Sequence, residues 1–146
     1  MSDNEDSIMI AFLPTEAPWV KQDLPHLTLV YAGLVSEAEP KLYKELVADS
    51  AMVAVVMSPF RLVTFGLDQF GEVAELVDVL KFVFMTKLMV VCRMVERRSK
   101  SEYKSYRPHV TIGPVGSVNT LDLPSGVTFD RLLLAWGDDH VSFNLR

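Results

Sequence analysis

Apolar and polar positions alternate along two short stretches that nearly copy one another, Pro25-His26-Leu27-Thr28-Leu29 and Pro108-His109-Val110-Thr111-Ile112. A period of two predicts a strand with one buried face. In the first copy Leu27, Leu29 and Tyr31 share the apolar face, and His26 and Thr28 share the other. In the second, Val110 and Ile112 oppose His109 and Thr111, and Gly113 follows on the polar face, where it leaves room. A proline ahead of each histidine suits the first residue of a strand, where a missing N–H costs least. Each copy closes on a glycine, Gly33 and Gly116, seven residues after its histidine.

The same reading predicts alternating strands and helices elsewhere. Ile8 to Leu13 is an apolar strand ahead of the first copy. Ser36-Glu37-Ala38-Glu39 has the order of a capping box, and Leu42, Leu46 and Val47 supply an apolar stripe behind it. Ala51 to Met57 and Phe60 to Phe65 read as strands separated by Ser58-Pro59, and Leu76 to Phe82 as another strand. Phe84, Leu88, Val91 and Val95 fall at helical spacing, with Arg97-Arg98 placed to meet that helix's C-terminus. Gly116 to Gly126 reads as a loop. Val127 to Trp136 and His140 to Leu145 read as a hairpin turning at Gly137-Asp138-Asp139.

Composition narrows the function classes. A chain of 146 residues, 49% of them hydrophobic, is one domain (1–146) with material for a core rather than a disordered segment. The apolar runs are too short for a membrane span, and Lys87 interrupts the one from Phe82 to Cys92, so no membrane partner is expected. The acidic start, Met1 to Asp6, does not read as a targeting peptide, and residues 1–7 are expected to be flexible. Cys92 is the only cysteine, sits in an apolar helical pattern and reads as core; a cytoplasmic location follows.

A net charge of −5 argues against a non-specific nucleic-acid binder, and duplex DNA is not an expected partner. The charge is unevenly spread. Arg97, Arg98, Lys100, Lys104 and Arg107 face one acid, Glu102, in the run that leads into the second copy. That run is either a phosphate-attracting lip or a solvated helix end.

Two imidazoles on opposite sides of one reacting atom can serve as general base and general acid near neutral pH. Hydroxyls beside them can hold phosphate oxygens and stabilise developing charge. Phosphodiester cleavage asks for those parts and, in principle, for no metal.

The paired His-x-Thr-apolar stretches resemble the motifs of the two-histidine (2H) phosphoesterase superfamily, which includes 2′-5′ RNA ligase-like and cyclic nucleotide phosphodiesterase proteins. The resemblance covers most of the chain, and Phe65-Gly66-Leu67-Asp68-Gln69-Phe70-Gly71 is similar to the middle of small members. It implies an α+β fold: a single domain of two pseudo-symmetric lobes, with antiparallel sheets facing a central groove and helices outside. It implies His26 and His109 as catalytic residues, Thr28 and Thr111 as phosphate-binding residues, and no cofactor or metal. The implied activity is a phosphodiesterase acting on RNA or nucleotides with a 2′,3′-cyclic phosphate, a 2′-5′ linkage or a cyclic oligonucleotide signal. The alternative on the same fold is a non-catalytic module that binds RNA ends or nucleotides.

Three further residues are candidate substrate contacts: Arg107 and Tyr106 ahead of the second copy, and Trp136 at the end of a strand. Trp19, before the first copy, reads as packing. His140 reads as structural, and Asp138-Asp139-His140 lacks a recognised metal spacing, although a metal-dependent hydrolase drawing on all three histidines is a competing reading.

Overall fold

The computed structural model describes residues 6–17, 25–70, 77–82, 86–100, 108–116 and 123–146. Within them lie β1 (Ser7–Pro14), β2 (Leu27–Leu34), α1 (Leu42–Val56), β3 (Phe60–Phe70), β4 (Val77–Phe82), α2 (Thr86–Val95), β5 (His109–Pro114), β6 (Gly126–Trp136) and β7 (Asp139–Asn144). The strands form one antiparallel sheet in the order β1-β2-β5-β4-β3-β6-β7, and β1 also pairs with β6. The first six strands therefore close into a ring, with β7 outside it on β6. The ring divides into two three-stranded halves, β2-β1-β6 and β5-β4-β3. They meet at Leu27↔Val110 on one side and at Phe60↔Phe129 on the other.

Alternation gives the sheet two unlike faces. One is covered by both helices: Leu46 and Val53 of α1 and Leu88, Val91 and Val95 of α2 join Ile8, Ile10, Phe12, Leu27, Leu80, Val110, Leu132 and Leu134 in the main core. Phe12, Phe60, Phe129 and Phe82 run through it as a chain of ring contacts at 4.9, 5.4 and 5.9 Å. Each such side chain contributes roughly 1.5–3 kcal/mol by leaving water. The opposite face carries a smaller buried cluster, Leu13, Leu133 and Ala135, with Met9 against it.

Most predicted elements are present, including the β6–β7 hairpin, which turns at Gly137 with φ +60°. Ala51 to Val56 is the clearest correction: it continues α1 instead of forming a strand. A short apolar run has no period of its own that separates helix from strand. Here the burial of Leu46, Asp49, Ser50, Val53 and Ala54 follows helical spacing, and Met52, Val55 and Val56 are left exposed. Ser36 does not cap that helix. Pro40 disfavours helical backbone at Glu39, α1 begins at Leu42, and the Ser36 hydroxyl donates instead to Asp6 Oδ2 at 2.6 Å. Asp6 and Ser7 are thereby held, within the segment expected to be loose. Phe84, Trp19 and most of the loop from Gly116 to Gly126 lie outside the described residues.

Candidate active site

Leu27 and Val110 are fully buried register partners between antiparallel β2 and β5, facing the helix-covered core. Carrying that register one residue each way sets His26 opposite Thr111, and Thr28 opposite His109. All four side chains are partly exposed and lie on the face away from the helices. The two copies of the motif thus cross: each histidine has the other copy's threonine as its neighbour. The structure brings together all four residues that the duplicated pattern singled out.

The duplication extends to backbone detail. In both copies the register against the outer strand shifts by one residue just after the threonine, at Leu29 in β2 and at Ile112 in β5. A bulge of this kind turns two successive residues to one side and reverses the alternation beyond it. Leu29 and Val30 accordingly both enter the main core. Tyr31 then pairs with Met9 and lies on the motif face, not on the core face that simple alternation predicts. For the same reason Gly113, opposite Asp78, leaves the motif face. Both closing glycines adopt backbone that other residues resist, Gly33 at φ +99° and Gly116 at φ +83°.

Charge and polarity around the four residues are uneven. Lys81 of β4 is the direct register partner of His109, and its ammonium meets Asp68 Oδ2 at 3.4 Å. Neither was singled out from sequence, although a lysine set between the apolar Leu80 and Phe82 was the available signal. On the other side, the Thr28 hydroxyl donates to the Met9 sulfur at 4.0 Å, a weak bond.

The remaining candidates separate from this cluster. Trp136 pairs with Ile8 on the helix-covered face and packs edge-on against Tyr43 of α1, with ring centroids 5.2 Å apart. Tyr106 and Arg107 lie outside the described residues. Arg97 and Arg98, the first members of the basic run, turn toward α1: Arg98 Nε donates to Asp49 Oδ2 at 2.8 Å and Arg97 to Asp49 Oδ1 at 3.2 Å. Asp49 is buried, and its hydrogen bond, with Glu45 nearby, holds the Arg98 guanidinium protonated above its ordinary range. These two arginines are structural cations rather than a phosphate lip. Cys92 packs against the core, and burial pushes its thiol up to about 12, with Glu96 adding to the shift. His140 is exposed on β7. Among the described residues no three His, Cys, Asp or Glu side chains gather into a metal-binding group, and no helix is long and apolar enough to cross a membrane.

Two imidazoles and two hydroxyls on one partly open face can pass protons and bind an oxyanion together. Solved structures share the fold of the strands and helices around it. Thermus thermophilus TT0787 superposes with a TM-score of 0.62 at 16% identity, over 96% of this chain and 98% of that one. Kluyveromyces marxianus Usb1 gives 0.65 at 10% identity, over 97% and 98%. Escherichia coli LigT complexed with 3′-AMP gives 0.51 at 16% identity, over 97% and 95%. These are two-histidine phosphoesterase and 2′-5′ RNA ligase-like proteins. This chain has the two-histidine phosphoesterase fold. No protein-family model matches the sequence, and no curated protein does. The α+β class expected for that fold is present as a largely antiparallel sheet with a closed ring of strands and two helices.

Proposed function

We propose that the protein is a metal-independent phosphodiesterase acting on RNA or nucleotide phosphodiesters, with His26 and His109 as general acid and base. One imidazole deprotonates water or a ribose hydroxyl as that oxygen attacks phosphorus. The other protonates the leaving oxygen, and the roles exchange when the reaction runs in reverse. Thr28 and Thr111 donate to the non-bridging oxygens as their charge grows. In this reading the two halves of the ring act as pseudo-symmetric lobes, each contributing one motif to a groove between them. Substrates are nucleotides with a 2′,3′-cyclic phosphate, 2′-5′ linkages or cyclic oligonucleotides, met in the cytoplasm.

One observation carries the reading: the Leu27↔Val110 register, which sets each histidine beside the other motif's threonine on a face the helices leave open. The likeness to LigT, whose structure was solved with 3′-AMP, supports a nucleotide ligand. The test is turnover in excess chelator of a 2′,3′-cyclic mononucleotide, a 2′-5′ dinucleotide, and cyclic di- and trinucleotides. Cleavage by the wild type that collapses in both His26→Ala and His109→Ala is the expected result. Binding without cleavage would favour a non-catalytic module, and loss of activity in chelator would favour a metal-dependent hydrolase.

A further inference from the structure

We propose that Lys81 is a second anion-holding residue of this site, and that the substrates carry another phosphate beside the one that reacts. The inference rests on the phosphodiesterase reading and narrows its substrate class to oligonucleotides, linear or cyclic, over cyclic mononucleotides.

The argument starts from where the duplication fails. Leu27 pairs with Phe12 in β1 as Val110 pairs with Leu80 in β4, so the outer strands correspond residue by residue. Phe12 answers to Leu80, and Ala11, beside Thr28, answers to Val79, beside Thr111. The next position breaks the match. Beside His26 it holds Leu13, buried in the small apolar cluster; beside His109 it holds Lys81. Directly opposed residues on adjacent strands have Cβ atoms about 4.5–5.5 Å apart. The lysine is therefore the immediate lateral neighbour of the His109 imidazole.

Lys81 is an unlikely core choice and a poor stabiliser. Val79, Leu80 and Phe82 around it are buried, whereas its own side chain is 30% exposed and its partner Asp68 is 44% exposed. An ion pair that open to water contributes little and exchanges readily. Its geometry is informative all the same. Asp68 sits opposite Val79 on β3, one strand farther from His109, so the ammonium leans away from the histidine pair. An anion exchanging with Asp68 would lie to the β3 side of the reacting phosphate, as the next phosphate of a polynucleotide would. Among the described residues the position beside His26 holds Leu13 and no cation, Arg131 standing one strand farther out opposite Leu13, and this asymmetry gives the groove a polarity that orients the substrate in it.

Calorimetric titration of adenosine 3′,5′-bisphosphate, 3′-AMP and 5′-AMP into wild type, Lys81→Met, Lys81→Arg and Asp68→Asn tests this. The wild type is expected to prefer the bisphosphate over either monophosphate by about tenfold, the worth of one charge-assisted contact. Lys81→Met should bring that ratio toward one, Lys81→Arg should keep it, and Asp68→Asn, which removes the competing carboxylate, should raise it. A ratio unchanged in folded Lys81→Met, or no bisphosphate preference in the wild type, overturns the inference. Turnover is a separate readout. A protein that cleaves nothing but keeps the Lys81-dependent ratio refutes the enzymatic reading while sustaining the role of Lys81.

Discussion

Leu27 and Val110 face each other across the junction of the two halves of the ring, and the side chains flanking them make one crossed set of His26, Thr111, Thr28 and His109. Each threonine therefore stands next to the other motif's histidine. Thr28→Ala and Thr111→Ala should each lower kcat by about 10²-fold, the scale of one lost oxyanion donor. Serine at either position should recover most of the loss. The double alanine variant should lose less than the product of the single effects, because the hydroxyls act on one phosphate. Steady-state kinetics on the cleaved substrate checks all three outcomes.

Gly33→Ala and Gly116→Ala should each cost about 1–2 kcal/mol, because both place a Cβ on left-handed backbone. The two costs should be similar, since the new methyl at Gly33 would make only ordinary van der Waals contact with the Lys100 side chain at 3.4 Å, and the backbone conformation dominates at both sites. Urea unfolding of the two variants measures both costs.

Asp49→Asn should destabilise the fold by about 3 kcal/mol, because it leaves the half-buried Arg98 guanidinium with only the longer and more exposed contact to Glu45 at 3.6 Å. Arg97→Met should cost well under half of that, as Arg97 stays largely in water. Thermal unfolding measures both, and an Asp49→Asn protein as stable as the wild type would show that the cluster does not hold α1 to the end of α2.

The Cys92 thiol makes stability depend on alkaline pH. Its folded pKa, about 12, lies above its ordinary value of 9.0, so the folded chain holds this proton more tightly than the unfolded one. The contribution is complete below about pH 9 and is lost as pH rises toward 12. Cys92→Ala should flatten that fall relative to wild type in denaturant titrations across the window. At pH 8 the native thiol should react slowly with an aromatic disulfide and rapidly once the chain is unfolded.

The site was more legible in the sequence than the segments that frame it. A repeated pair of polar side chains two residues apart survives any misjudged boundary, so His26, Thr28, His109 and Thr111 could be placed before their strands were known to touch. Tyr31 and Gly113 could not be placed, because a one-residue bulge reverses the alternation and leaves no mark in the residue types. Trp136 stayed open between packing and a substrate contact for a different reason: a strand residue near a turn faces either way, and only its contact with Tyr43 shows which. The basic run hid its division of labour, since Asp49 lies far away in sequence on α1. Ala51 to Val56 carried too little period to reveal a helix.

Pairing of β1 with β6 sets an order of events for folding. Ile8 to Pro14 lie against Trp136 to Phe129, so β1 has one of its two neighbours only once β6, far along the chain, has been made. Until then its inner edge offers unmet N–H and C=O groups to any passing strand. Closure through so distant a contact must meet the entropy of the intervening chain before it returns any stability, which places this fold among slow folders. The nascent protein is most vulnerable to wrong pairing in the interval before Gly126–Trp136 emerges.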